Sequence, residues 1–320
     1  MAGLTISAAG TYDGAGATTD FILIEGVASG DVIVKNYIVS GFTTYGDMIS
    51  VTDCALGTLT LEHILAGSGS YILYAYDDVT FTTFNILHCD FETTDIYTVA
   101  IRVDSGGTVN ITNSLLVGGE PILDVEQVSN INLTNVTTWH RAGSWQTIYV
   151  YCDAGAGNFV MNNCNLYANP YRGGSGEEAL YISDLTSSGS GNNYWGYAIF
   201  ADLDGGGSIS ATNLDPSFAS HAVSVYNANF YLPPGSALID AGINNVSNYD
   251  WISSYPYSVY DIADTGNIDI GFHYPSEGEI IYFYEIMGIQ DRPRLFPDDI
   301  CVEPIVFDTL HDFYGNKVGF

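Results

Sequence analysis

The sequence predicts an all-β fold in which short parallel strands wind into a solenoid. Val, Ile, Thr and Tyr alternate with small polar residues, and the turns between them are rich in Gly, Asn, Asp and Ser. No stretch has the spacing of an amphipathic helix, and a short strand pattern recurs along the chain. A period of ~20–28 residues built only of strands is typical of stacked coils that share one continuous core.

The repeat has the form apolar-x-apolar-x-Asn/His, and a second apolar strand precedes each copy. Its copies start at Val32, Leu59, Phe84, Val109, Ile131 and Phe159, so successive starts are 27, 25, 25, 22 and 28 residues apart. Their fifth positions are Asn36, His63, His88, Asn113, Asn135 and Asn163. With coils ~4.8 Å apart, we predict that these residues stack at one turn as an Asn ladder with amide hydrogen bonds along it. His63 and His88 are expected to act there as turn residues.

The ladder also bears on the five cysteines of the chain. Cys89 and Cys164 occupy the same repeat position three coils apart, which is roughly 14 Å and too far for a disulfide. The spacing of the five cysteines matches no zinc pattern. We therefore predict buried, unpaired thiols that behave as small hydrophobic groups.

Composition excludes some classes of partner. The net charge is −30 with only seven Lys and Arg, so binding to nucleic acid or to anionic membranes is not expected. No apolar run reaches the ~18 residues of a transmembrane helix. The first residues lack the basic and apolar regions of a signal peptide, as expected of a processed chain or of a virion protein released by lysis.

Two further segments carry a resemblance to a known family. The segment "GNNYWG" (191–196) resembles the Asn-Asn-aromatic-Trp-Gly segment of the last coils of right-handed parallel β-helices in the pectate-lyase-like superfamily. The segments "LDPSFASHAVSVYNANFYLPPGSALIDAG" (214–242) and "GNIDIGFHYP" (266–275) resemble a tail of bacterial-surface and phage β-helix repeat proteins. The resemblance covers roughly residues 20–275 and implies a right-handed parallel β-helix. It leaves function open, because such folds host lyases, hydrolases, adhesins and phage spikes.

This resemblance suggests a division of the chain. Residues 1–20 form an N-terminal segment, 21–200 the β-helix coils, and 201–275 the terminal coils and closing tail. Residues 276–320 form an irregular C-terminal extension for capping or docking. Asn192 or Asn193 is expected to end the ladder. Trp195 is expected to cover the end of the core, with contact to a sugar as the alternative.

Alternate residues of the first strand in each coil should point outward and form an acidic stripe that contains one arginine and runs into tyrosines. The stripe is Glu25, Thr52, Asp77, Arg102, Asp104, Asp124, Glu126, Tyr149, Tyr151, Asp153 and Tyr181. Its candidate catalytic residues are Arg102, Asp104, Asp124 and Glu126. A polysaccharide lyase would use an Arg base and carboxylates that hold Ca²⁺. A glycoside hydrolase would use two carboxylates ~5–9.5 Å apart. No other metal-ligand set is indicated.

Two long excursions, 137–146 and 167–178, should lie beside the stripe and complete a groove. Its candidate ligand-binding residues are Trp139, His140, Arg141, Trp145, Tyr149, Tyr151, Tyr167, Tyr171 and Arg172. Flat aromatic faces can stack on sugar rings while charged groups hold hydroxyl or acidic substituents.

Together these features favour an extracellular structural or adhesive protein of a cell or virion surface, with a polysaccharide or cell-surface glycan as ligand. Self-association into an oligomer or filament is a further expectation, because open coil ends expose strand edges. The alternative is an enzyme, a lyase or a tailspike-like glycosidase, that acts on the face spanning residues 102–178.

Overall fold

The computed structural model describes twelve segments of the chain. These are residues 4–13, 22–40, 47–67, 71–76, 78–93, 99–119, 121–140, 146–152, 157–168, 178–218, 230–259 and 262–275. They are nearly all β and form a parallel β-helix of about 6 turns. The predicted fold class is therefore confirmed. The C-terminal extension, 276–320, lies outside these residues.

Three faces make up the solenoid. The first sheet contains β1 (Leu4–Asp13), β3 (Val32–Ser40), β5 (Ala55–Gly67), β7 (Thr80–Leu87), β10 (Gly106–Thr112), β13 (Val128–Thr134), β16 (Asn158–Asn162), β19 (Thr186–Trp195) and β21 (Gly207–Thr212). The second contains β2 (Ile22–Glu25), β4 (Ile49–Thr52), β6 (Leu73–Ala75), β9 (Ile101–Val103), β12 (Leu123–Glu126), β15 (Ile148–Tyr151), β18 (Glu178–Ser183) and β20 (Ile199–Leu203). The third contains β8 (Asp90–Glu92), β11 (Leu115–Gly118), β14 (Thr137–His140), β17 (Asn165–Ala168) and the ends of β5 and β19.

The coils stack in the register that the repeat predicts. Val109 lies opposite Ile131, and Ile131 lies opposite Phe159, in parallel strands. All three side chains are fully buried, so one column of apolar residues runs through neighbouring coils and forms the shared core. The strand β1 pairs with β3, and the first sheet therefore extends into the segment 1–20.

The cysteines confirm the sequence prediction in the described part of the chain. Cys54, Cys89, Cys152 and Cys164 are all buried, and none of the four forms a disulfide. Burial raises the pKa of both Cys89 and Cys164 to about 12, which suits small apolar core residues.

The ladder positions share a left-handed backbone. The φ angles of Asn36, His63, His88, Asn113, Asn135 and Asn163 lie between 42° and 62°, a conformation that asparagine tolerates better than most residues. The role of His63 and His88 as turn residues is thereby confirmed.

The end of the ladder differs from the sequence expectation. Gly191, with φ 69°, takes the next left-handed position, whereas Asn192 is buried beside Cys164 and accepts its backbone N–H at 2.9 Å. A Cβ at Gly191 would lie 2.5 Å from Oδ1 of Asn163, so the site has no room for an asparagine. Tyr194, rather than Trp195, packs on the core.

The ladder amides bind the C-terminal tail and the ladder histidines, which corrects the expected pattern of amide-to-amide hydrogen bonds. Asn113 exchanges two hydrogen bonds with the backbone of His273, at 2.9 and 2.7 Å. The Nδ2 group of Asn135 donates to the carbonyls of Asp269 and Gly271. Contact within the ladder persists at its other end, where Nδ1 of His63 lies 3.3 Å from Oδ1 of Asn36.

The C-terminal tail covers the turn that carries the Asn ladder, and we call its described residues from 238 to 275 the strap. It includes two 3₁₀ helices, Val246–Asn248 and Asp250–Ser253, and the antiparallel pair β22 (Tyr257–Val259) and β23 (Ile262–Ala263). Asn163 fastens it by accepting from the N–H of Ile243 at 2.7 Å and donating to the hydroxyl of Tyr249 at 2.8 Å. The ring of His88 stacks on Tyr255 with a centroid distance of 4.1 Å.

Candidate functional site

A charged cluster lies at the centre of the outer face of the second sheet. Arg102 on β9 faces Asp124 on β12 in register. Its three kinds of guanidinium nitrogen bind three different carboxylates: Nε binds Asp104 at 2.8 Å, Nη1 binds Asp124 at 2.8 Å and Nη2 binds Glu126 at 3.2 Å. The structure therefore brings together all four predicted catalytic residues.

These contacts and the burial of the cluster set its protonation. Burial raises the pKa of Asp124 to about 6, although the positive charge of Arg102 lowers it, and the neighbouring charges of Glu126 and Asp104 raise it further. Partial burial alone would lower the pKa of Arg102, but Asp124, Asp104 and Glu126 together raise it. The guanidinium is thus held in its charged form, and Asp124 changes charge near neutral pH.

Asp124 is also the most buried member of the cluster. Its side chain is 8% exposed, against 27% for that of Arg102 and 33% for that of Glu126. Its Oδ2 atom binds Arg102, whereas its Oδ1 atom is buried and has no hydrogen-bond partner among the described residues. An orphaned acceptor of this kind costs free energy that a ligand donor can recover.

Tyrosines on one side of the cluster were missed by sequence reasoning. Tyr74 lies in register with Arg102, with its ring centroid 5.7 Å from the guanidinium carbon. Its hydroxyl donates to Asp104 at 3.1 Å, and its ring stacks between those of Tyr71 and Tyr76. Burial and the charge of Asp104 raise the pKa of Tyr74 to about 12. The alternation in "YILYAY" places Tyr74 and Tyr76 outward; the predicted stripe had assigned Asp77, which lies outside the described residues.

Predicted tyrosines flank the other side. Tyr149 follows Asp124 in register and Tyr181 follows Tyr149. The rings of Tyr149 and Tyr181 stack with centroids 5.2 Å apart and planes 11° from parallel. Tyr151 lies opposite Glu126 and is 37% exposed. We name the face formed by Tyr74, the Arg102 cluster, Tyr149 and Tyr181 the tyrosine–carboxylate face.

Trp139 and Tyr167 belong to a different face. They lie in register on β14 and β17 of the third sheet, and both are buried. Trp139 packs edge-on against Phe230, and Tyr167 packs in the same way against Phe218. The segment that leads into the strap therefore covers both rings, and the structure does not bring them together with Arg102 or present them to solvent.

His140 occupies a corner between sheets. It is buried, and its ring lies parallel to that of Tyr197 with centroids 6.4 Å apart. The hydroxyl of Tyr197 is hydrogen-bonded to Thr147, which precedes β15. Burial lowers the pKa of His140 to about 4, so the imidazole is neutral at pH 7. The remaining predicted ligand residues, Arg141, Trp145, Tyr171 and Arg172, lie outside the described residues.

The cluster does not fit a Ca²⁺ site. Asp104, Asp124 and Glu126 each give an oxygen to Arg102, so the guanidinium stands where a bound cation would neutralise them.

A second acidic group lies in the strap. Oxygens of Asp240, Asp264 and Asp269 lie within 4.8 Å of one another. The carboxylate of Asp269 already accepts hydrogen bonds from the Asp240 N–H and the Ser258 hydroxyl. Oδ2 of Asp264 accepts from the Asp269 N–H and lies 2.9 Å from Nε2 of His273. These contacts fold the strap on itself.

Comparison with known proteins adds no family assignment. No protein-family model matches the chain, and no curated protein is similar to it. Within the described segments, no helix has the length and apolar character needed to cross a membrane.

Proposed function

We propose that this protein is a structural and adhesive β-helix protein of a cell or virion surface that binds glycan on its second sheet. The single observation that carries the proposal is the tyrosine–carboxylate face itself. Stacked, partly exposed tyrosines lie on both sides of a cluster of hydrogen-bonding charges. Aromatic faces for sugar rings beside a few polar groups that fix orientation are the usual composition of a saccharide site.

The dimensions of the face suit an extended ligand. Tyr74 and Tyr149 are separated by three strand spacings, since β6, β9, β12 and β15 are neighbours in that order. This distance is roughly 14 Å. A chain of sugars lying along the helix axis would contact one tyrosine group, the charged cluster and then the other group.

The alternative function is glycoside hydrolysis at the same face. It is favoured by Asp124, whose pKa of about 6 suits a general acid at neutral pH, with other carboxylates beside it. A lyase mechanism in which Arg102 acts as base is less favoured, because the surrounding carboxylates raise its pKa and oppose loss of its proton.

Binding and turnover are separated by one experiment. The protein is incubated with acidic and neutral polysaccharides, with and without Ca²⁺. Bound protein is measured by pull-down, reducing ends report hydrolysis, and ultraviolet absorbance reports unsaturated lyase products. We expect binding without product. Product that disappears in Arg102→Ala and Asp124→Ala would instead establish the enzyme.

The tyrosine–carboxylate face is tested by the double variant Tyr149→Ala/Tyr181→Ala. It should lose binding, whereas Tyr257→Ala, a half-buried tyrosine of the strap, should retain it. Equal binding by both variants would exclude the tyrosine–carboxylate face as the glycan site.

Self-association is the second part of the proposal. In the described part of the chain, β2 and β20 are the end strands of the second sheet and each pairs on one side only. Leu23 on β2 and Ile199 on β20 are 54% and 48% exposed. Unpaired edges with exposed apolar residues favour pairing with another copy of the chain.

A further inference from the structure

The charge of the tyrosine–carboxylate face restricts the ligand that it can take. One guanidinium faces three carboxylates, so the cluster carries a net negative charge when all three are ionised. The chain around it has a net charge of −30. A uronate-containing polysaccharide would therefore be repelled, and each of the three guanidinium nitrogens of Arg102 already binds a carboxylate of the protein.

Three carboxylates against one guanidinium leave negative charge that attracts a singly charged group, although Arg102 takes the oxygens that a Ca²⁺ ion would need. Carboxylates accept hydrogen bonds from an ammonium group, and the face of a tyrosine ring attracts a ligand cation within about 6 Å of its centroid. Tyr74 already makes this kind of contact with Arg102. Tyr149 lies next to Asp124 in register, so a positive group near Asp124 would have both a carboxylate and an aromatic face beside it.

The orphaned oxygen of Asp124 is a second, independent observation. Its side chain is more than nine-tenths buried, and its Oδ1 atom has no donor among the described residues. Because this atom is buried, a ligand donor reaches it only when the side chains that cover it move aside, and it would then supply the hydrogen bond that the protein does not. A protonated amine provides both the donor that Oδ1 of Asp124 lacks and the positive charge that the carboxylates attract.

We propose that the ligand is an amine-bearing saccharide, a glycan with free amino sugars, whose ammonium group binds Asp124 beside Tyr149. This inference rests on the proposed glycan-binding function and names its substrate class. Neutral sugars are expected to bind more weakly through the tyrosines alone, and acidic sugars are expected not to bind.

Three oligosaccharides of equal length test the inference: glucosamine, N-acetylglucosamine and galacturonate oligomers. Affinities are measured by calorimetry at pH 7 and an ionic strength near 0.15 M, where charges more than ~8 Å apart are largely screened. Glucosamine oligomers should bind at least about tenfold more tightly than N-acetylglucosamine oligomers, because acetylation removes the positive charge and leaves the ring. Equal affinities, or a preference for galacturonate, would overturn the inference.

Two variants assign the preference to one residue. Asp124→Asn keeps the size of the side chain and an acceptor for Arg102 but removes the charge, so it should lose the preference for glucosamine and retain weak neutral-sugar binding. Asp202→Asn is the matched control, because Asp202 is exposed in the same outward row, one strand beyond Tyr181. If both variants reduce the preference equally, general charge attraction explains it and the inference fails.

The outcomes also separate the two proposals. Binding of neutral or acidic oligomers without preference for the amine would refute the amino-sugar inference and leave glycan binding standing. Failure of every oligomer, with unchanged melting temperature, would reject both.

Discussion

Asn113 offers the sharpest test of how the strap is held on the solenoid. Its side chain is fully buried, donates to the carbonyl of His273 at 2.9 Å and accepts the N–H of the same residue at 2.7 Å. Its Nδ2 also lies 3.2 Å from Nδ1 of His88. Asn113→Ala leaves two buried backbone groups of His273 without partners.

The expected loss follows from these contacts. Each orphaned buried group costs about 1–3 kcal/mol, and alanine at a left-handed position with φ 42° costs about 1 kcal/mol more. We expect Asn113→Ala to lower the free energy of unfolding by about 4 kcal/mol. Asn113→Gly, which adopts positive φ without steric penalty, isolates the loss of the hydrogen bonds and should cost somewhat less.

The assay is urea denaturation followed by circular dichroism, with hydrogen exchange of residues 268–274 as a local readout. The matched control is Asn110→Ala in the same coil, whose amide is also hydrogen-bonded, to Asn85 at 2.9 Å and Asn132 at 2.8 Å, but on the half-buried outside of the first sheet. That variant should cost about 1 kcal/mol or less. If the two alanine variants lose equal stability and exchange in the strap is unchanged, the strap does not depend on the ladder.

Three other predictions follow from burial and from the coil ends. Burial lowers the pKa of His88 from 6.5 to about 3. Between these two pH values the unfolded chain takes up a proton that the folded chain does not, so the free energy of unfolding falls as pH decreases from 6.5 toward 3. His88→Asn should remove up to ~1.4 kcal/mol per pH unit of that loss, as measured by denaturation at pH 7 and pH 5. Cys89 and Cys164 are buried and have pKa values of about 12, so they should resist alkylation in the folded protein and react in denaturant. Mass spectrometry of labelled peptides measures this, and rapid labelling without denaturant would contradict their burial. Leu23→Lys and Ile199→Lys should each decrease self-association in sedimentation equilibrium, and an unchanged mass distribution would argue against edge pairing.

The coil architecture was predictable because its signals are local and periodic. An asparagine or histidine at a fixed distance from two apolar residues marks the left-handed ladder turn in six coils, and the structure places Asn36, His88 and Asn163 there. The neighbours Arg102 and Asp124 were predictable for the same reason, since stacked parallel strands bring equivalent positions together.

The covering of Trp139 and Tyr167 was not predictable in this way. Both rings do point out of the solenoid, as alternation indicates, but they contact Phe230 and Phe218 from a segment distant in the sequence. Periodicity describes a side chain relative to its own coil and carries no information about a later segment that packs over it. The contacts of the ladder amides with the strap were not predictable for the same reason, because Asn113 and Asn135 bind backbone groups that only the folded strap supplies.

Arg102 has a structural role that any binding experiment must separate from recognition. Asp104, Asp124 and Glu126 would repel one another on adjacent strands, and the guanidinium offsets this by binding each through a different nitrogen. Lysine cannot reproduce three such divergent contacts, so Arg102→Lys should weaken the face even without ligand. Loss of binding in an Arg102 variant therefore would not assign Arg102 to the ligand. Asp124→Asn leaves Arg102 an acceptor and removes only the charge, so a change in ligand preference in that variant reports recognition and not collapse of the cluster.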